Sequence, residues 1–104
     1  MVLITFLKEN DKFKSLSITG HSQFDDIGSD IVCAGISAIA FGALNGFNEL
    51  AEENFDIKVS DNLIEVEALN DACINDKLFS FTYYQFNTVF VQYPNYINIK
   101  VREV

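Results

Sequence analysis

Two side chains able to break an acyl bond together stand twelve positions apart: His21, the one histidine of the chain, and Cys33. A thiolate is the nucleophilic form of cysteine, and a nearby imidazole can take its proton and later return it to a leaving amine. His21 lies in the stretch 20–29, which opens on Gly20 and carries Gly28 near its other end, with a mostly polar middle. That pattern reads as a loop, and ten residues is long for a connection in so small a chain, a length that tends to carry function. Ser29 or Asp30 then offers a helix cap. With Asp30 as the cap, Cys33 is the third helical residue. Unsatisfied backbone N–H groups and the positive end of the helix dipole are found there. Such a position lowers a thiol pKa, and the same N–H groups can hold a developing oxyanion.

Helical spacing brings in two more residues. Asp30 is three positions before Cys33 and Ser37 four after it, so all three share one face. Asp30 can orient His21 or cap the helix. Ser37 can bond the sulfur, a substrate or only its own backbone. The structural alternatives are plain: a buried cysteine often serves as a small hydrophobe, and a loop histidine as a surface residue. The second cysteine, Cys73, forms no CxxC pair with Cys33 and reads as a packing residue. One histidine and two distant cysteines do not make a usual zinc site, and no glycine-rich phosphate loop is present. No metal or cofactor is expected. Asp25 and Asp26 can meet basic substrate side chains or simply be solvated.

The elements that must position these residues follow from periodicity. Residues 2–7 are apolar and 13–19 alternate around a turn at Glu9-Asn10-Asp11-Lys12, which predicts a β-hairpin. Small and apolar residues from Ile31 to Ala51 predict one helix over about 30–53. Its Ala34, Gly35, Ala38, Ala40, Gly42 and Ala43 suggest close neighbours on most sides. A second hairpin is expected over 55–59 and 63–68. Asn70-Asp71 would cap a second helix over about 71–91, burying Ile74, Leu78, Phe81, Phe86, Val89 and Phe90. Pro94 and Asn95 end it, and 96–102 alternate as a last strand. The expected fold is α+β in ββαββαβ order, with one mixed or antiparallel sheet packed against two helices.

The length of 104 residues suits a single domain over 1–104. Ten Phe, four Tyr and no Trp predict a phenylalanine-rich core. A net charge of −8 with seven basic residues excludes the clustered lysines and arginines that nucleic acid requires. It suits a cationic partner, such as a basic peptide, or only keeps the chain soluble. The N-terminus has no export-signal pattern, and no run of about 18 apolar residues suggests a membrane span. Two cysteines without an export signal suit a reducing cytosol.

The stretch Gly20-His21-Ser22, followed by Asp30-Ile31-Val32-Cys33-Ala34-Gly35-Ile36-Ser37-Ala38, resembles the ribosomal-processing cysteine proteases (Prp). Their pattern is Gly-His-Ala, a variable loop ending near glycine, then Asp-Ile-Val-Cys-Ala and a serine four residues past the cysteine. Ser22 departs from the commoner alanine. The resemblance implies Cys33 and His21 as the catalytic pair, with Asp30 and Ser37 in supporting positions. It implies a substrate loop holding Gly20, Ser22 and Gly28 that moves for substrate entry. It also implies a cytoplasmic homodimer that removes the N-terminal extension of a large-subunit ribosomal protein during ribosome assembly. A second expectation, from another class, is a non-catalytic acidic binding module or assembly factor for a basic ribosomal protein.

Overall fold

The computed structural model describes residues 1–20 and 27–104, with side chains from residue 31 onward in the second stretch. The chain forms β1 (Val2–Glu9), β2 (Lys12–Thr19), α1 (Ile27–Ala51), β3 (Phe55–Ser60), β4 (Leu63–Ala68), α2 (Cys73–Gln92) and β5 (Ile97–Glu103), with a single 3₁₀ turn at Glu52–Asn54. The five strands make one sheet in the order β3-β4-β2-β1-β5. All pairs are antiparallel except β1 with β5. The expected ββαββαβ order and mixed sheet are therefore present.

Both hairpins form where alternation placed them. Asn10 and Asp11 take φ values of 53° and 66° between β1 and β2. That is the left-handed pair of a tight two-residue turn, which Asn and Asp tolerate. The alternation in β2 contains a parity change, since Phe13 is odd while Leu16 and Ile18 are even. A β-bulge resolves it: Leu7 faces Ser15 but Lys8 faces Phe13, so Lys14 has no opposite residue. Phe13 thereby turns toward the same side as Leu16 and Ile18.

One face of the sheet carries Val2, Ile4, Phe6, Leu16, Ile18, Ile64 and Val66, all buried. Both helices cover it. Two aromatic clusters fill the gap. Phe47, Phe55 and Phe79 meet with ring centroids 4.7–5.5 Å apart. Phe6 contacts Phe13 and Tyr83 at 5.2 and 5.5 Å. Pairs at these spacings add about 0.5–1.5 kcal/mol each beyond area burial. The core is phenylalanine-rich, as composition implied.

The second helix differs from expectation in its cap and in its buried face. It starts at Cys73 after Ala72, not after Asp71. Its buried residues are Asn75, Phe79, Thr82 and Phe86, whereas Phe81 is 68% exposed and Ile74 is also exposed. Aromatic and apolar side chains stand nearly all around this helix, so periodicity alone does not choose a side. Polar contacts choose it. Asn75, 2% exposed, donates through Nδ2 to the Asn70 carbonyl at 3.1 Å and to Asn70 Oδ1 at 2.9 Å. Asn54 Nδ2 donates to Asn75 Oδ1, and Asn70 Nδ2 to Asn54 Oδ1, each at 3.0 Å. In the same first turn, Asp76 Oδ1 accepts from the Phe13 N–H at 2.7 Å, beside the bulge. Replacing Asn75 by alanine leaves Asn54 Nδ2 without its acceptor and the Asn70 carbonyl without its donor. The expected loss is about 1–3 kcal/mol, read as a lower midpoint in urea unfolding at an unchanged slope.

The first helix is less enclosed than its small residues suggested. Its sheet-facing stripe is Val32, Cys33, Ile36, Ala40, Phe47 and Ala51. A Cβ added at Gly35, Gly42 or Gly46 would meet nothing within 4 Å. Ile31 and Phe41 are 53% and 45% exposed. Close approach is therefore not what these glycines provide. By length and composition Ile31–Asn54 could cross a bilayer, a match the sequence reading did not expect. In this fold its apolar stripe lies on the sheet instead.

Candidate active site

The start of α1 and the end of β2 define the neighbourhood of the expected catalytic pair. Gly20 closes β2 with φ +83°, and a Cβ there would run into the Met1 carbonyl oxygen. Only glycine fits both the conformation and the space. The Gly20 N–H donates to Asn62 Oδ1 at 3.0 Å, tying the strand end to the β3–β4 turn. The chain position just before His21 is thus held by β1 on one side and the second hairpin on the other. Asn62 escaped the sequence reading, because a turn asparagine carries no signal of a partner 42 residues away.

His21, Ser22, Asp25 and Asp26 lie outside the described residues, so the proposed movement of that segment does too. Gly28 falls inside α1 rather than in a loop, as do Ser29 and Asp30. The helix begins three residues before the expected start at Asp30. Ser29 and Asp30 therefore occupy the first turn and are not its cap. Cys33 becomes the seventh helical residue instead of the third. Only the first four N–H groups of a helix lack internal partners, so the unsatisfied donors belong to residues 27–30, three to six residues before Cys33. Helical side chains lean toward the N-terminus, which inclines Cys33 toward that turn.

Cys33 is 1% exposed and packs among Val32, Ile36 and the sheet. Ser37 follows one turn later on the same side and is half-buried. Cys73 is the reverse of expectation: exposed, at the first residue of α2. Both cysteines are thiols. Among the described residues, no group of three His, Cys, Asp or Glu could hold a metal ion.

Residues 1–98 match the family model described as cysteine protease Prp. The chain belongs to the cysteine protease Prp family. The ribosomal processing cysteine protease Prp of Bacillus subtilis is 42% identical over 52 residues, 49% of this chain and 46% of that protein. The Prp of Staphylococcus aureus strain Mu50 is 38% identical over 56 residues, 54% of this chain and 53% of that protein. The aligned segments thus span about half the length of these Prp relatives. In three dimensions the likeness of fold extends over nearly the whole chain. A Streptococcus mutans crystal structure superposes with a TM-score of 0.86 at 19% identity, over 100% of this chain and 96% of that one. The S. aureus Prp protease in complex with a substrate peptide gives 0.83 at 22% identity, over 97% and 99%. These structures share the Prp fold described above.

Burial orders the two thiols in a way that labelling can read. Iodoacetamide added to the folded protein is expected to modify Cys73 before Cys33, at least about tenfold faster. Peptide mass mapping over time checks it, and faster modification of Cys33 would mean that the sulfur is open in solution.

Proposed function

We propose that this Prp-family chain is a cysteine endopeptidase. It removes the N-terminal extension of a large-subunit ribosomal protein during ribosome assembly, in the cytoplasm, as a single domain over 1–104. The family match over residues 1–98 carries this reading. The names of the B. subtilis and S. aureus relatives support the substrate class. The net charge of −8 supports it too, because it favours a basic partner.

The proposed chemistry uses the His21 and Cys33 pair expected from the sequence. His21 takes the Sγ proton of Cys33 as general base. The thiolate attacks the scissile carbonyl carbon, and the carbonyl electron pair moves onto oxygen. Unsatisfied N–H groups in the first turn of α1 lie three to six residues before Cys33 and are the proposed donors for that oxyanion. The intermediate collapses to a thioester as protonated His21 gives its proton to the leaving amine. Water, deprotonated by His21, then attacks the thioester. Expulsion of the thiolate completes hydrolysis. Asp30, three residues before Cys33, orients His21, and Ser37 supports the sulfur or the bound chain. Because Cys33 is buried in the free protein, cleavage requires its sulfur to become accessible.

A non-catalytic binding module is the competing reading, and the burial of Cys33 as a small core residue is what favours it. Cys33→Ala and Cys33→Ser separate the two. Each is expected to abolish cleavage of the precursor, read by mass as absence of the released extension, while precursor binding persists. Cleavage at the wild-type rate by both variants would sink the endopeptidase reading.

The homodimer belongs to the same proposal. A groove of about 350 Å³ between α1 and α2 is lined by Ala38, Gly42, Gly46, Leu50 and Phe81. Leu50 and Phe81 are 64% and 68% exposed beside it. An apolar face of this kind suits a second copy. Phe81→Glu is expected to shift the sedimentation coefficient from dimer to monomer. An unchanged dimer would place the contact elsewhere.

A further inference from the structure

Strand β3 is the outer edge of the sheet, paired with β4 alone. The direction of its backbone groups can be worked out. The Leu69 N–H donates to the Asn54 carbonyl at 2.8 Å, and the register sets Phe55 opposite Ala68, so Asn54 and Leu69 are a hydrogen-bonded pair. Such pairs alternate in an antiparallel ladder. Asp56, Lys58 and Ser60 therefore bond toward β4, while the N–H and C=O groups of Phe55, Ile57 and Val59 point to the open edge. The Phe55 N–H is already used, donating to the Glu52 carbonyl. The groups of Ile57 and Val59 remain directed outward.

The side chains of these same three residues rise toward α1. Together with Phe41, Leu44 and Asn48 they line a groove of about 600 Å³ between helix and edge strand. Val59 is 52% exposed and Phe41 45%. Along α1 the groove stripe continues toward the helix start. Cys33, Ser37, Leu44 and Asn48 fall within about 60° of one another at 100° per residue, with Phe41 beside them. From Phe41 back to Cys33 is about 12 Å of helix at 1.5 Å per residue. At the far mouth Glu52 lines the groove just past the carbonyl end of α1, whose last turn holds no basic residue. That end attracts positive charge.

We propose that an extended segment of the protein substrate adds to the β3 edge in this groove. Its backbone pairs with Ile57 and Val59, alternate apolar side chains enter between β3 and α1, and a lysine or arginine sits at the Glu52 end. Strand addition beside a helix gives affinity through main-chain bonds and selectivity through alternate side chains. The occupant follows from three features that converge: outward backbone groups, a groove of mixed apolar and amide lining beside the helix stripe that includes Cys33, and Glu52 at its mouth. This rests on the reading of Cys33 as nucleophile, which gives the groove its substrate.

The test uses the full chain with Cys33→Ala and a synthetic peptide spanning the N-terminal extension and its cleavage junction. At saturating peptide, amide exchange followed by NMR should slow at Ile57 and Val59 by at least about tenfold and stay unchanged at Asp56 and Lys58. With the wild-type protein, N-methylation of alternate peptide residues should raise KM about 3–10-fold at constant kcat, the size of one or more lost hydrogen bonds. Methylation at the intervening residues should leave KM unchanged. Unaltered exchange at Ile57 and Val59 overturns the proposal. So does slowing without peptide that grows with protein concentration, which would assign the edge to a second copy. Slowed exchange without cleavage by wild-type protein supports the groove and removes the nucleophile reading. Cleavage without slowed exchange does the opposite.

Discussion

The position of α1 on the sheet sets the terms for the rest of this molecule. One stripe of the helix, from Val32 through Ile36, Ala40 and Phe47 to Ala51, is pressed against the strands. Cys33 belongs to that stripe, so the proposed nucleophile is also a core residue. α2 lies on one flank of the helix and the β3 edge on the other. The grooves proposed for a second copy and for strand addition are therefore two sides of one element. Any change that rolls α1 about its axis moves the sulfur and both grooves together. Interior packing leaves little freedom for such a roll.

Much of this arrangement was legible from residue patterns. The two hairpins and the last strand could be read because one face of each is buried and the other is not, which imposes strict alternation. The Phe13 parity change even marked the bulge, although it was not read as one. The helices were harder. α2 is apolar or aromatic nearly all around, and its rotation is decided by Asn75 and Asp76, whose partners are remote in sequence. The start of α1 was misplaced because Ser29 and Asp30 are good caps, yet the helix runs back to Ile27. Local preference there yields to the longer helix.

The candidate site was legible to a similar degree. The Gly20-His21 and Asp30-to-Ala38 patterns pointed to the right family. Gly20 has a clear physical role in its left-handed conformation against Met1. Burial could not be foreseen: Cys33 and Cys73 carry similar local signals, and only the fold makes one internal and the other exposed. The β3 edge groove was likewise invisible, since it is formed by residues from α1 and β3 that meet only after the chain has turned back on itself.

The parallel pairing of β5 with β1 has a consequence for the order of events in synthesis. Val2 faces Ile97, and the Val2 N–H donates to the Tyr96 carbonyl at 2.9 Å. β1 thus receives its second neighbour from a strand that lies beyond both helices in the chain. Pairings so distant in sequence form slowly, since the intervening chain must be ordered first. The two hairpins and helices can gather early, but the β1 edge stays open until β5 has been made. Completion of the sheet therefore comes after both hairpins and both helices have been made.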